Sequence, residues 1–248
     1  MPITIKNSAQ ISSMRKAGAI VGGSFAAVRP YIKPGVTTLE LDRIIEEYIR
    51  SKNAIPSFLN YDSFPASACI SVNEEVIHGI PGIRKLEAGD IVSIDVGALI
   101  EGYHGDAART FPVGSISEED AKLIEVTEQC FFKGIEYALA DNHINQISIA
   151  VQKHAEENGF SVVRDYAGHG IGTALHEAPQ ILNYRQQSRG ARMQAGMTLA
   201  IEPMINRGTY EVKRLSDNWT VVTRDGKKSA HYENTIVVTD GKPEILTL

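Results

Sequence analysis

Five ionisable side chains interrupt apolar or glycine-rich stretches of the sequence. They lie in DVGALIEGYHGD, GHGIG, LAIEPMI and HYENTIVV, and are Asp95, Asp106, His169, Glu202 and Glu233. Four carboxylates and one imidazole suit hard or borderline divalent ions, and the four negative charges balance two ions. Two such ions share a hydroxide and polarise a carbonyl group, so the set predicts hydrolysis at a dinuclear site. Taken singly, each glutamate also fits an exposed edge strand, and the histidine fits a hydrogen-bonded loop position.

The spacing of Asp95 and Asp106 indicates that they share one face of a β-hairpin. If Glu101-Gly102 is a two-residue turn, Asp95 pairs with Ala108. By the same register, Asp106 pairs with Gly97. Because side chains alternate along a strand, the two aspartates become diagonal neighbours, about 7 to 8 Å apart at the backbone. Such close carboxylates repel unless a cation lies between them or one is protonated, and exposure of both on an open sheet face is the alternative.

Helical patterns precede this hairpin and recur after it. The first helix is predicted to be capped by Asn7 or Ser8, and the second opens with a capping box from Thr37 to Glu40. A strand, SACISVN, and the hairpin follow. From Ser117 the order helix, helix, strand and hairpin repeats. The pattern predicts an α+β fold, a duplicated unit about a pseudo-twofold axis with helices covering an antiparallel sheet, and a single domain over residues 1–248.

Composition limits the classes of partner. The 248 residues carry a net charge of -5, which argues against broad electrostatic binding to nucleic acid or anionic membranes. Two cysteines are too few for a disulfide framework, and no stretch has the roughly 20 apolar residues of a membrane span. We therefore expect a cytoplasmic monomer that binds neither a membrane nor specific nucleic acid.

Several motifs together resemble those of type I methionine aminopeptidases of the bacterial kind, over essentially the whole chain. They are NEEVIHGIPG, DVGALIEGYHGD, GHGIG with LHE, IEPM and YENT. The resemblance implies the pita-bread fold and hydrolytic removal of the initiator methionine when the second residue is small. It also implies two divalent ions (Co, Mn, Fe or Zn), a bridging hydroxide as nucleophile, and N-terminal methionine peptides and nascent chains as substrates. Transient association with the ribosome is a further expectation.

The resemblance assigns roles to the five metal-site residues. Asp95 matches the ligand of one ion, and His169 and Glu202 match ligands of the other. Asp106 and Glu233 match the two carboxylates that bridge the ions. The α-amine of the substrate would then bind near Asp95 and its ion, which restricts cleavage to a free N-terminus.

Further matches concern catalysis and substrate binding. His78 in VIHGIP would hold the next peptide nitrogen, His176 in ALHE would stabilise the oxyanion, and Glu202 would accept and shuttle the proton. The positions that match the methionine pocket are Tyr61, Phe64, Cys69, Leu175 and Trp219, with Phe58 as either pocket or core. The chain departs from some relatives in the NYDSFP loop and at Leu175. A monovalent-cation site is matched by Asn73, Glu75 and Ser229.

Three alternatives share the same fold. Prolidases and X-Pro aminopeptidases have the same ligands but usually carry a large extra N-terminal domain. Type II methionine aminopeptidases have an insertion between the ligand histidine and the next glutamate, for which the stretch from His169 to Glu202 leaves no room. Binding modules on this fold have lost ligands, whereas all five positions are filled here.

Overall fold

The computed structural model describes residues 2–248. The helices are α1 (Ser8–Val28), α2 (Thr38–Ser51), α3 (Glu118–Ile135) and α4 (Ile144–Glu157). The strands of the first half are β1 (Ile55–Pro56), β2 (Ala68–Val72), β3 (Glu75–Ile77), β4 (Ile91–Ile100) and β5 (Tyr103–Pro112). Those of the second half are β6 (Ser161–Val162), β7 (Ala167–Gly170), β8 (Glu177–Leu182), β9 (Thr198–Ile201), β10 (Met204–Asn206), β11 (Val212–Arg214), β12 (Val221–Thr223), β13 (Ser229–His231), β14 (Asn234–Val237) and β15 (Glu244–Ile245). Among the described residues, no helix is both long and apolar enough to cross a bilayer.

The predicted helix starts are confirmed by reciprocal capping. Asn7 Oδ1 accepts from Gln10 N at 3.0 Å, and the Gln10 side chain accepts from Asn7 N at 2.9 Å. Thr37 and Glu40 form the same box at the start of α2. Each box satisfies backbone N–H groups that the first turn leaves without a helical partner.

The predicted hairpin register is confirmed. Asp95 pairs with Ala108, and Gly97 pairs with Asp106. The Glu101-Gly102 turn has φ angles of 52° and 78°, the left-handed geometry that matches the twist of a tight hairpin. Asp95 and Asp106 therefore project from the same face of the sheet.

The opposite face of β4 is packed against helices. Val92, Ile94 and Val96 are fully buried in a cluster that includes Ile45 and Ile49 of α2. Since β4 pairs with β1, β2 and β5, its backbone polar groups are satisfied from both sides. This packing fixes the strand that carries Asp95.

The second half repeats this arrangement in a sheet of order β15-β14-β9-β7-β8. Strands β7, β9 and β14 correspond to β2, β4 and β5, and α3 and α4 stand in the place of α1 and α2. Here β9 and β14 pair antiparallel with Ile201 opposite Asn234, but residues 202–233 lie between them instead of a tight turn. That segment forms β10 to β13, which pair with β3 and β6.

The two units join where β5 meets the start of β14. Glu233 N donates to Ala108 O at 3.0 Å, and Ala108 N donates to Glu233 O at 3.3 Å. Asp106 and Glu233, from different units, therefore approach each other at the junction.

Truncation of the packed face of β4 should destabilise the whole fold. We expect Ile94→Ala to lower the free energy of unfolding by about 2 to 5 kcal/mol, because it leaves a cavity in a fully buried position. Ile83→Ala is the matched control, since Ile83 is 90% exposed, and should change stability by less than about 0.5 kcal/mol. Urea denaturation measures both; equal effects would contradict this account of the core.

Candidate active site

One cavity of about 230 Å³ lies at the junction of the two units. It collects every residue predicted to bind the divalent ions, to act on the substrate or to receive methionine. The lining residues are Phe58, Tyr61, Asp62, Phe64, Cys69, His78, Asp95, Asp106, His169, Leu175, His176, Glu202, Trp219 and Glu233. Phe58, which the sequence left between pocket and core, lies in the wall. Asp62 was not assigned a role from sequence.

The imidazole of His169 faces the carboxylates. Its Nε2 lies 3.9 Å from Asp106 Oδ2 and 3.7 Å from Glu202 Oε1. Ligand atoms of Asp106, His169 and Glu233 all lie within 4.8 Å of one another. His169 Nδ1 donates to Gly170 O at 2.9 Å, which leaves Nε2 free as a ligand. Burial lowers the pKa of His169 to about 3, so the ring is neutral at neutral pH.

The four carboxylates of the cavity lie close together, although negative charges on them would repel. Burial raises the pKa of Asp95 to about 7. Burial, followed by repulsion from neighbouring carboxylates, raises the pKa values of Asp106, Glu202 and Glu233 well above their ordinary range. Within residues 2–248, the buried atoms Asp95 Oδ1, Asp106 Oδ1 and Glu233 Oε1 have no hydrogen-bond partner. Divalent cations bind to carboxylate oxygens and neutralise their charge, so buried carboxylate oxygens without a partner fit metal binding.

Residues behind the cluster fix its backbone. Thr235 Oγ1 accepts from Asp106 N at 3.0 Å and donates to Asp106 O at 2.9 Å. The Arg109 guanidinium donates to Glu233 O and, at 2.6 Å, to Asn234 Oδ1. Neither Arg109 nor Thr235 was predicted as a site residue, because only the contact of β5 with the start of β14 brings them there.

His231 is a further buried neighbour that the sequence did not single out. Its side chain is 2% exposed, and its Nε2 lies 3.8 Å from Glu202 Oε2. It stands two residues before Glu233, and alternation along an extended chain puts such residues on one face. The two-residue spacing of His231 and Glu233 in HYENT was therefore the sequence signal that could have placed His231 near the site.

Two other histidines flank the carboxylates. His176 Nδ1 lies 2.7 Å from Tyr61 Oη, and the His176 ring is 4.3 Å from the His169 ring. His78 has a φ of 58° and packs edge-on against Trp219 at 6.0 Å between ring centroids. Burial lowers the pKa of His78 to about 4 and also lowers the pKa of His176. Both rings are therefore neutral hydrogen-bonding groups at neutral pH.

The other end of the cavity is apolar. Phe64 and Trp219 pack edge to face, 5.1 Å between centroids, and Leu175 is 2% exposed. Cys69 pairs with Asp95 in the β2–β4 ladder. Burial raises the pKa of the Cys69 thiol well above its ordinary value, so the thiol contributes a neutral, apolar surface.

The residues that match a monovalent-cation site lie outside this cavity. Ser229 N donates to Asn73 O at 2.9 Å, so Asn73 and Ser229 are adjacent. The Asn73 amide donates to Asp90 at 2.8 Å, and the Glu75 carboxylate accepts from Val72 N at 2.7 Å. With these side chains engaged, backbone carbonyls are the groups that an ion would have to use.

A carboxylate-rich centre beside an apolar cavity is typical of a metal-dependent hydrolase. The family model described as metallopeptidase family M24 matches residues 12–240. A methionine aminopeptidase of Clostridium perfringens is 56% identical over 246 residues, which are 99% of each chain. The structure of methionine aminopeptidase from Rickettsia prowazekii gives a TM-score of 0.98 at 42% identity, covering 100% of both chains. The chain belongs to metallopeptidase family M24, and the resemblance to type I methionine aminopeptidases is confirmed.

A more distant structure shares only the fold. Prolidase from Pyrococcus furiosus gives a TM-score of 0.81 at 23% identity, with 98% of this chain aligned to 65% of that chain. Together with the closer structure, it confirms the predicted pita-bread fold. The remainder of the prolidase has no counterpart in this chain.

Removing one charge from the cluster should separate metal binding from folding. We expect Asp106→Asn to raise the thermal midpoint of the metal-free protein by about 2 to 4 °C, because it relieves carboxylate repulsion. The same change should weaken Mn²⁺ binding, measured by titration calorimetry, by about tenfold or more. Asp240→Asn, in an exposed position, should change neither quantity. Undiminished Mn²⁺ affinity in Asp106→Asn would exclude this carboxylate as a ligand.

Proposed function

We propose that the chain hydrolytically removes the N-terminal methionine from peptides and nascent proteins whose second residue is small. The observation that supports this most directly is the cavity itself, where an apolar end suited to one flexible side chain adjoins the cluster of carboxylates. An aminopeptidase needs the pocket for the first side chain and the cluster that acts on the first peptide bond to lie within the length of one residue. The sequence identity to methionine aminopeptidases gives the same substrate.

The residues would hold two divalent ions of Mn, Fe, Co or Zn. In this proposal Asp95 would bind one ion, His169 and Glu202 would bind the other, and Asp106 and Glu233 would contribute to both. Bound ions would lower the pKa of water and polarise the scissile carbonyl. A monovalent cation at the carbonyls near Asn73, Glu75 and Ser229 is a separate part of the proposal.

Three side chains carry the proton transfer and charge stabilisation. Glu202, whose pKa is raised by burial, accepts a proton from water and passes it to the leaving amine. Tyr61 Oη lies 2.7 Å from His176 Nδ1. With the tyrosine hydroxyl as the donor, the neutral ring carries its proton on Nε2, which would donate a hydrogen bond to the developing oxyanion. His78, which also lines the cavity, holds the next peptide nitrogen.

The whole chain acts as one catalytic domain in this proposal. Both units contribute ligands, and neither unit alone has the set. We expect a monomer in the cytoplasm, transiently near the ribosome, in line with a substrate that emerges there. The buried, free thiols of Cys69 and Cys130 suit a reducing compartment.

A panel of three peptides distinguishes this function from its alternatives. Metal-free protein refilled with one metal at a time should cleave Met-Ala-Ser and leave Met-Lys-Ser and Ala-Pro intact, as followed by chromatography of the products. Hydrolysis of Ala-Pro would favour a prolidase-like activity. If none of the three peptides is cleaved with any metal, the result would favour a binding module.

His176 is expected to act on the transition state. We expect His176→Ala to lower kcat by about a hundredfold or more, with a smaller change in KM, because it removes a hydrogen-bond donor to the oxyanion. Steady-state kinetics with Met-Ala-Ser measures both constants. A change confined to KM would reassign His176 to substrate binding.

A further inference from the structure

A buried ion pair ties the N-terminal segment to the loop that carries His176. Lys6 Nζ lies 2.6 Å from Glu177 Oε2, and the two side chains are 5% and 8% exposed. Thr4 Oγ1 donates to the same oxygen at 2.7 Å. Burial penalises both charges, and only close geometry with additional hydrogen bonds offsets that penalty. The pair is therefore sensitive to the loss of either partner.

Glu177 also shapes the loop directly. Its Oε1 accepts from Ala174 N at 3.2 Å and from Thr173 Oγ1 at 3.4 Å. The loop of residues 171–176 joins β7, which carries His169, to β8, which begins at Glu177. It presents Leu175 and His176 to the cavity. One carboxylate thus links Lys6 to the loop backbone two residues before His176.

The loop closes tightly over this ion pair. A Cβ atom at Gly172 would lie 2.5 Å from Glu177 Oε1 and 2.6 Å from Lys6 Cε, so a larger residue there would displace the ion pair. Gly172 O accepts from His104 N at 2.9 Å, and Lys6 N donates to Gly196 O at 2.8 Å. One end of the connection is therefore held to β5 and the other to the turn that precedes β9.

His176 itself has few polar contacts. Among residues 2–248 its one hydrogen bond is with Tyr61 Oη, and its ring packs against the rings of Tyr61 and His169. The position of its ring therefore depends on the backbone of the loop as well as on these two rings. This contrasts with His169, which is buried and bonded through Nδ1.

We propose that Lys6 is a positioning residue for catalysis, acting through Glu177 on the loop that presents His176. The inference rests on the proposed role of His176. Without Lys6, the Glu177 carboxylate is buried without its counter-charge and moves toward solvent, and the loop moves with it. A displacement of about 1 Å at a catalytic group lowers the rate by about a hundredfold.

The first test is Lys6→Met, which removes the charge and keeps the aliphatic stem. We expect kcat for Met-Ala-Ser to fall by about ten- to a hundredfold with little change in KM, because Lys6 does not line the cavity. Arg15→Met is the matched control. It removes an ion pair between α1 and Glu244 that is 49% and 39% exposed, and it should leave kcat unchanged.

Two further readouts separate positioning from general destabilisation. If Lys6 acts through His176, Lys6→Met should cause no further fall in kcat in a His176→Ala background, whereas independent effects multiply. The side-chain ¹⁵N resonances of His176 should shift in Lys6→Met and stay in place in Arg15→Met. If Lys6→Met does not fold, Thr4→Val takes its place. We expect Thr4→Val to lower kcat by about two- to tenfold, because it removes one hydrogen bond to Glu177. In a His176→Ala background Thr4→Val should cause no further fall in kcat.

Each outcome bears on a different claim. A multiplicative effect of Lys6→Met or Thr4→Val in the His176→Ala background, or unchanged kcat in the wild-type background, overturns the positioning role. An unchanged kcat in His176→Ala overturns the role of His176, and the inference with it. Failure of the wild-type protein to cleave Met-Ala-Ser overturns the proposed function before either variant is compared.

Discussion

Repulsion among four enclosed carboxylates is the constraint on which this structure depends. Asp95, Asp106, Glu202 and Glu233 share one cavity, and the buried oxygens of three of them have no protein partner within residues 2–248. Such a cluster is unfavourable unless cations occupy it or the rest of the fold is stable enough to hold it. The helices packed against β4 and β9 supply that stability, and the cavity supplies the place for cations.

Duplication explains how so many charges reach one point. Each unit presents acids from one pair of neighbouring strands, and the hydrogen bonds between Ala108 and Glu233 bring the two pairs together. Neither unit contributes more than two carboxylates to this cluster. The long segment between β9 and β14 also contributes Trp219 to the cavity wall, so the asymmetric part of the second unit serves the substrate side.

The proposed ligand His169 and the proposed substrate-contacting residue His176 are held in different ways. His169 is buried within a strand and fixed through Gly170 O, as a metal ligand requires. His176 lies on a loop whose shape comes from Glu177, Thr4 and Lys6. A loop position allows closer approach of substrate, and the distant N-terminal contacts restore the precision that a loop lacks.

The sequence by itself determined the features that depend on neighbouring residues. Strand alternation and the Glu101-Gly102 turn fixed the shared face of Asp95 and Asp106, and the capping residues Asn7 and Thr37 fixed helix starts. Periodicity and capping are local, so they are visible in a linear pattern. The motifs also pointed, through resemblance, to His169, Glu202 and Glu233 as the remaining proposed ligands, although their meeting in space was not derivable from spacing.

Only the tertiary structure decided which distant groups touch. The contacts of His231 with Glu202, Arg109 with Glu233 O, and Lys6 with Glu177 join separate parts of the chain. Such pairs leave no periodic signal, because they arise from the packing of complete sheets and loops. The sequence thus determined which side chains are available for chemistry and the local geometry of the hairpin and the helix starts. The packing of the two units determined which distant residues contact and support those side chains.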